Sequence, residues 1–303
     1  MTVESSYHSA NPEIQTLTEQ SKNYSKRIMT IVDEVQKVIV GQEEVIKKLV
    51  IAMMADGHVL LEGVPGLAKT KMVDTLSKTL GANFCRIQFT PDLLPADITG
   101  TKIYDNKNEK FVTEKGPVFS NLILADEINR APPKVQSALL EAMQERQVSI
   151  HGDTFEIEKP FLVLATQNPI ESEGTYRLPE AQIDRFALKL IINYPSKENE
   201  KLIIQRNTQE TKPSAENIVS KDVVLEIQKF VQKIYADEKI EEYVSSIVDA
   251  TRNPRNYDLE LGDMIEFGAS PRASIWLILA AKAHALLAGR GFVIPDDIKS
   301  IAH

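Results

Sequence analysis

The chain has 303 residues, of which 43% are hydrophobic and 26% are charged, and its formal net charge is −8. This composition excludes disordered and fibrous proteins, and the length suits two domains better than one. The acidic balance argues against a protein whose whole surface wraps nucleic acid.

The sequence predicts a protein without membrane segments, in a reducing compartment. The most apolar run, "IWLILAAKAHALLAG", contains Lys282 and His284 and is shorter than the ~20 residues that span a bilayer. The N-terminus lacks the basic start and apolar core of a signal peptide. The single cysteine, Cys85, can form no intramolecular disulfide, so we expect it to pack in a strand of a cytoplasmic protein.

The first predicted elements lead to a glycine-bearing loop. Residues 1–25 begin as a polar stretch without a sustained period and predict a tail or arm. From Ile28 the apolar spacing is helical. A short buried strand at 59–61 then runs into "GVPGLAKT", residues 63–70, and a helical pattern follows.

Further strand candidates alternate with helices. They lie at about 84–89, 122–125, 161–165 and 187–194. Buried apolar strands separated by helices predict a parallel sheet covered on both faces, so the first domain, 26–195, is expected to be α/β. Helical patterns at about 196–209, 222–235, 240–252 and 271–289 predict a smaller all-helical domain over 196–303.

The loop has the chemistry of a phosphate site. Glycines let backbone N–H groups approach a phosphate, and the next helix adds its positive N-terminus. Lys69 is expected to reach the β- and γ-phosphates of ATP, and the Thr70 hydroxyl to bind Mg²⁺. The usual pattern has glycine where this chain has Ala68, whose methyl group is tolerable if the residue has an ordinary negative φ. A structural glycine turn is the alternative. The predicted nucleotide contacts of the loop are Gly63, Val64, Pro65, Gly66, Leu67, Ala68, Lys69, Thr70 and Lys71.

Two carboxylates follow an apolar run in "NLILADEINR", residues 121–130. A buried strand that ends at Asp126 and Glu127 places them at the edge where α/β sheets bind ligands. Asp126 would then hold Mg²⁺ and Glu127 would polarise the attacking water. A solvated turn or a helix cap is the alternative for this pair.

A third polar group ends the strand in "LVLATQNP", residues 162–169. Asn168, with Gln167 as the alternative, is placed to hydrogen-bond the γ-phosphate or the water. Asn before Pro also forms turns readily, which leaves a turn as the other interpretation.

The order of "GVPGLAKT", "LILADEINRAPPKVQSALLEAMQE", "VLATQNP", "LPEAQIDRF" and "GASPRA" closely resembles MoxR-type AAA+ ATPases. The resemblance covers about residues 28–303, and alanine in the phosphate loop is usual in that family. It implies a P-loop NTPase core with a parallel five-stranded sheet between helices and a helical lid. It also implies a homo-hexameric ring that binds ATP and Mg²⁺ between subunits.

The resemblance assigns roles to further residues. Asn168 matches sensor 1, Arg185 in "AQIDRF" matches the arginine finger that reaches a neighbour's ATP, and Arg272 in "GASPRA" matches sensor 2. Surface ion pairs or caps are the alternatives for the two arginines. Residues 39–42, with Val40 and Gly41, resemble the adenine-contacting segment. Arg177 departs from the family pattern and is a second candidate for the trans-acting cation.

Two insertions also resemble family elements. Residues 89–119 match the insert in the second core helix, and about 146–159 predict a β-hairpin with strands 147–150 and 154–158. We expect His151 to be a turn residue of that hairpin. In relatives such elements face the ring's pore or upper surface, so partners are expected there. The chain ends at "IPDDIKSIAH", where relatives usually continue, which predicts a shortened lid or one that closes differently.

The expected function is an ATPase that remodels a client or adaptor protein. By resemblance the partner carries a von Willebrand factor A domain, and the work is maturation or insertion of a metal cofactor. A nucleotide-dependent switch with little turnover is the main alternative. A DNA motor has the net charge against it, and "GASPRA" with the "DRF" arginine argues against a small-molecule kinase.

Overall fold

The computed structural model describes residues 12–64, 66–167, 176–262 and 264–302. Contacts divide the chain into two compact units. The sheet unit comprises residues 31–49 and 58–224, and the helical unit comprises residues 1–30, 50–57 and 225–303. This division groups residues 196–224 with the sheet, whereas the sequence analysis begins the lid at 196. The domain limits given there stay a prediction.

The sheet unit contains one large sheet and two hairpins. Strands β2, β5, β8, β1 and β9 lie side by side in that order and are all parallel, as predicted. The pairs β3–β4 and β6–β7 are antiparallel hairpins. The strands are β1 (Val59–Glu62), β2 (Phe84–Gln88), β3 (Gly100–Asp105), β4 (Lys110–Lys115), β5 (Leu122–Asp126), β6 (Gln147–Ile150), β7 (Asp153–Glu156), β8 (Leu162–Gln167) and β9 (Leu188–Ile191).

Helices make up most of the remaining described chain. The four helical patterns predicted after residue 195 are confirmed within two residues at each end. No described helix is long and apolar enough to cross a membrane. The helices are α1 (Pro12–Val38), α2 (Glu43–Met54), α3 (Lys69–Thr79), α4 (Pro95–Thr99), α5 (Pro133–Glu145), α6 (Glu180–Ile183), α7 (Lys197–Thr208), α8 (Lys221–Lys233), α9 (Glu238–Arg252), α10 (Pro271–Leu287) and α11 (Pro295–Ala302).

The core of the sheet unit follows from the apolar strands. The side chains from Leu122 to Ala125 of β5 are fully buried, and so are those from Val163 to Ala165 of β8. Continuous apolar runs of this kind are typical of parallel strands that are covered on both faces. Leu139, Leu140 and Met143 of α5 belong to the same buried cluster.

The N-terminal segment differs from its prediction. Helix α1 begins at Pro12, so residues 12–25 of the predicted tail or arm are helical. Ile14, Thr18 and Ser21 are buried at helical spacing. The hydroxyls of Thr18 and Ser21 donate to the carbonyls of Ile14 and Leu17 at 2.8 and 2.7 Å. Because these bonds satisfy the hydroxyls within the helix, polar residues can form its buried face. A search for apolar residues at helical spacing does not detect such a face.

The insert at 89–119 contains a hairpin that the sequence analysis does not predict. Tyr104 pairs with Phe111 across β3 and β4, and Ile103 pairs with Val112. All four of these side chains are exposed. Strands exposed on both faces lack the alternation of apolar and polar residues by which strands are recognised. The hairpin that was predicted at 146–159 is confirmed as β6 and β7, although its second strand covers Asp153–Glu156 rather than 154–158.

The amino end of the sheet is closed by buried polar side chains. His58 Nδ1 accepts a hydrogen bond from the Val163 N–H at 3.0 Å, so its Nε2 donates to the Met143 carbonyl at 3.2 Å. Burial, with a smaller effect of the nearby Arg146 charge, lowers the pKa of His58 to about 3. Asn121 accepts from the Asn83 N–H and donates to the Pro160 carbonyl. At this end of the sheet, uncharged side chains with hydrogen-bond partners therefore connect neighbouring segments of the chain.

Candidate functional site

The carboxyl ends of three central strands meet at one edge of the sheet. Gly63 follows β1, Asp126 ends β5 and Gln167 ends β8. Ligands bind at this edge in open α/β sheets. A cavity of about 470 Å³ lies here, which we call the loop cavity. It is lined by Gly63, Gly66, Leu67, Ala68, Lys69, Thr70, Lys71, Arg86, Asp126, Glu127, Thr166 and Gln167.

The loop enters α3 through a left-handed residue. Ala68 has φ 54° and ψ 24° and immediately precedes the helix. The condition under which alanine fits without strain, an ordinary negative φ, is therefore not met. A residue with a Cβ pays roughly 1–2 kcal/mol in this conformation, whereas glycine adopts it freely. The requirement for positive φ explains why the general loop pattern has glycine at this position.

Lys69 is folded back onto its own loop. Its Nζ donates to the Gly63 carbonyl at 2.5 Å. Burial lowers the pKa of Lys69, and the charges of Asp126 and Glu127 act in the opposite direction. The ammonium therefore lies beside the carboxylates and backbone groups that line the loop cavity.

Asp126 is held by partners on both of its oxygens. Thr166 Oγ1 donates to Oδ1 at 2.7 Å. Arg86 donates to Oδ2 from Nε at 3.0 Å and from Nη2 at 2.6 Å. Thr166 also accepts from the Glu127 N–H at 2.8 Å. One threonine hydroxyl thus connects both acidic residues to β8.

Glu127 also has a left-handed backbone, with φ 57° and ψ 50°. Its Oε2 accepts from Gln88 Nε2 at 2.9 Å and pairs with Arg130 Nε at 3.0 Å. A non-glycine residue at positive φ is held there by its surroundings, and such strain is typical of functional sites. Two donors and a strained backbone therefore fix the position of this carboxylate.

The sequence analysis misses three residues of this cluster. Arg86 and Gln88 are exposed and alternate with the buried Ile87 on β2. This alternation is visible in "NFCRIQF" and would have placed both polar side chains on one face of the strand. Thr166 lies in "VLATQNP", directly before Gln167 and Asn168, the two residues predicted to reach the nucleotide.

A second cavity of about 290 Å³ shares Gly66, Leu67, Ala68 and Lys71 with the loop cavity. Its further lining consists of Val38, Ile39, Val40, Gln42, Pro195, Ile203, Arg206 and Asn207. Ile39, Val40 and Gln42 of the predicted adenine segment line this cavity, and Gly41 does not. Arg206 Nη1 donates to the carbonyls of Gln36 and Lys37, at the end of α1.

The remaining predicted nucleotide contacts have different positions. Gly41 has φ 69° and provides the turn between α1 and α2, where a Cβ would lie 2.8 Å from the Asn199 side chain. Among the described loop residues, Val64 does not line the loop cavity. Pro65 and Asn168 lie outside the described residues.

The three predicted arginines lie away from the loop cavity or in the other unit. Arg185 follows α6 and lines a third cavity of about 440 Å³ together with Glu141 and Glu145 of α5. Its Nε is buried without a hydrogen-bond partner among the described residues. Arg177 is exposed. Arg272 belongs to the helical unit, in the first turn of α10.

Comparisons with known proteins are consistent with this geometry. Residues 58–188 match the ATPase family associated with various cellular activities (AAA), and residues 261–303 match the AAA lid domain. Chaperone MoxR1 of Mycobacterium tuberculosis is 48% identical over 295 residues, which cover 96% of this chain and 78% of the relative. The chain belongs to the MoxR-type AAA+ ATPase family. The resemblance drawn from its motifs is thereby confirmed.

Further MoxR relatives and a solved structure agree. Protein MoxR of Methylorubrum extorquens is 31% identical, with 88% of this chain and 82% of the relative covered. A crystal structure from Cytophaga hutchinsonii superposes with a TM-score of 0.88 at 51% identity, covering 96% of this chain and 89% of that one. The predicted fold class, an AAA+ core with a helical lid, is confirmed.

Proposed function

We propose that this MoxR-type protein binds ATP in the two adjoining cavities and hydrolyses it at the carboxyl edge of the sheet. The observation that supports this most strongly is the common lining of the loop cavity. It brings Lys69 and Thr70 of the loop together with Asp126, which ends β5, and Glu127, which follows it. A site that only binds phosphate does not need the second carboxylate.

Each of these residues has a physical role in the proposal. Lys69 exchanges the Gly63 carbonyl for the β- and γ-phosphate oxygens. Backbone N–H groups of the loop and the N-terminus of α3 bind the same phosphates. Glu127 polarises the attacking water, and its strained, doubly bonded position keeps it ready for that task. Asn168 and Arg272 keep the roles of sensors 1 and 2 that the resemblance implies.

The donor set of the loop cavity fits Mg²⁺. The Thr70 hydroxyl and the Asp126 carboxylate are the hard oxygen ligands that this ion prefers, and both line the cavity. Bound there, Mg²⁺ would neutralise charge that develops on the phosphates. Asp126 is oriented for such a role by Thr166.

Arg185 acts across a subunit interface in this proposal. It lines a cavity other than the loop cavity, and its Nε is buried without a partner in the described part of this chain. A guanidinium that reaches a neighbour's ATP would stabilise the charge that develops on its phosphates. A ring, by resemblance a homo-hexamer, supplies that neighbour.

Mixing of variants tests this arrangement. Lys69→Ala subunits and Arg185→Ala subunits are each expected to have little ATPase activity alone. In an equal mixture, about a quarter of the interfaces combine an intact Lys69 with an intact Arg185, so turnover should recover. The same mixture made with Arg177→Ala shows which arginine acts in trans. A fully active monomer, or no recovery with either arginine variant, would contradict the proposal.

The work that hydrolysis performs is proposed from the family. A relative bears the name chaperone, and we propose remodelling or maturation of a client protein in the cytoplasm, including metal-cofactor insertion. A partner with a von Willebrand factor A domain is part of this proposal. Capture of partners by a Glu127→Gln variant in ATP, compared with the same variant in ADP, would identify the client.

A nucleotide-dependent switch with little turnover is the second candidate. The strained Glu127 and its two donors argue against it, because a switch that only binds ATP needs no fixed carboxylate beside the water. The measured turnover number of the wild-type protein separates the two. A DNA motor would instead require DNA-stimulated turnover with salt-dependent binding.

A further inference from the structure

Arg86 is a cation at the carboxyl edge that the proposed mechanism leaves without a role. It lies on β2, at the margin of the sheet, in register with Leu124 of β5. Its side chain extends toward the edge and reaches the carboxylate of Asp126, two residues further along β5. The Arg86 side chain is 47% exposed and that of Asp126 is 17% exposed, so the pair borders the cavity.

The contact takes up most of the binding capacity of Asp126. Both Arg86 bonds converge on Oδ2, at 3.0 and 2.6 Å. Thr166 occupies one position on Oδ1. A carboxylate offers about four acceptor positions, so one remains. The charge of Asp126 is also balanced by the guanidinium.

A satisfied ion pair is a poor partner for a second cation. Mg²⁺ at this site needs the negative charge of Asp126, either directly or through its bound water. Arg86 already neutralises that charge, and its guanidinium would repel a divalent ion bound to the same carboxylate. Gln88 accepts a bond from Arg86 Nη2 at 2.7 Å and so steadies the guanidinium in this position.

We propose that Arg86 and Mg²⁺ compete for the Asp126 carboxylate, so that Arg86 weakens Mg²⁺ binding in the nucleotide complex. Arg86 pairs with Asp126 when no metal is bound and releases it when Mg²⁺ binds with the nucleotide. Arg86 and Lys69 both line the loop cavity, so the released guanidinium stays on the wall of the same site. The inference rests on the proposed ATP site.

The test is a Mg²⁺ titration of the protein loaded with a fluorescent ADP. In Arg86→Gln, the Mg²⁺ concentration at the midpoint should fall on the order of tenfold, the size of one charge-assisted pair. Without Mg²⁺, in EDTA, the Arg86→Gln variant should not bind fluorescent ADP more tightly than the wild type. The reason is that the substitution removes a cation near the phosphates. Arg86→Lys keeps the charge and should stay close to the wild-type midpoint. Lys78→Gln, which removes an exposed charge at the end of α3, should match the wild type.

An unchanged or higher Mg²⁺ midpoint in Arg86→Gln would overturn the inference, because Arg86 would then be neutral or helpful to the metal. Crystal structures of the wild type with ADP provide a second readout if that variant does not fold. The Arg86–Asp126 contact should persist with EDTA and open with Mg²⁺, and an intact contact in both would refute the competition. A wild type that bound no ADP under either condition would remove the proposed function together with this inference.

Discussion

The two ends of the same parallel sheet are built differently. At the amino end, His58 and Asn121 are buried, uncharged and hydrogen-bonded to backbone groups. At the carboxyl end, Ala68 and Glu127 have left-handed backbones, and Arg86 is a half-exposed cation. The amino end therefore contributes stability. The carboxyl end has a strained backbone and charged side chains that can interact with a ligand. If this contrast holds, changes at the amino end should lower stability without lowering nucleotide affinity.

The largest expected effect on stability comes from the amino end. His58→Asn shortens the side chain that bridges Val163 and Met143, so the Met143 carbonyl loses its donor and a cavity forms in the core. The free energy of unfolding should fall by about 3 kcal/mol, because each unsatisfied buried group costs about 1–3 kcal/mol. ATP affinity of the folded variant should stay unchanged. Urea unfolding and fluorescent-nucleotide binding measure the two quantities.

The control for that variant is His151→Asn. His151 is exposed in the turn between β6 and β7 at φ 49°, a conformation that asparagine tolerates. It should leave stability unchanged. Equal losses in both variants would contradict the contrast between the two positions.

The pH dependence of stability should report His58 as well. Its pKa is about 3 in the folded protein and about 6.5 in the unfolded chain. Between these values the unfolded chain binds a proton that the folded one does not, so stability falls as the pH falls. From pH 6.5 to 5.5, above the range where carboxylates titrate, the loss approaches about 1.4 kcal/mol per unit. His58→Asn should abolish this slope and His151→Asn should retain it; an equal slope in all three proteins would refute the assignment.

The smallest expected effect is at the carboxyl end. Ala68→Gly removes the strain of a Cβ in the left-handed conformation, roughly 1–2 kcal/mol. It also gives the unfolded chain more conformational entropy, which lowers stability by about 0.5–1 kcal/mol. The free energy of unfolding should therefore rise by about 0.5 kcal/mol. Nucleotide binding should be retained. Ala82→Gly, at a position without positive φ, should instead destabilise the protein. If Ala68→Gly destabilised the protein as much as Ala82→Gly, the left-handed backbone of Ala68 would carry no strain.

Much of the fold could be predicted from local patterns. The apolar runs that end at Ala125 and Ala165 marked central strands, and the loop from Gly63 marked the edge where they end. Lys69, Thr70, Asp126 and Glu127 were predicted because their motifs follow those strands directly, and the structure places them around one cavity. Their roles in hydrolysis stay predictions.

What the sequence did not reveal depends on backbone angles or on pairing between strands. The φ of Ala68 is set by how the loop joins α3, and alanine itself favours the opposite sign. Arg86 meets Asp126 only because β2 lies next to β5, a neighbour relation that no local pattern encodes. The buried face of α1 was missed because Thr18 and Ser21 satisfy their hydroxyls within the helix.

The most direct test of the central claim compares ATP retention and phosphate release in the wild type and in Glu127→Gln. Both quantities are measured in one sample with ATP labelled on the γ-phosphate. The account predicts that the variant retains ATP and releases phosphate at least about 100-fold more slowly than the wild type. This is the size of effect expected when a general base is lost. Glu114→Gln, an exposed change on β4, should match the wild type. Unchanged phosphate release by Glu127→Gln would contradict the assignment of the carboxyl edge as a hydrolysis site.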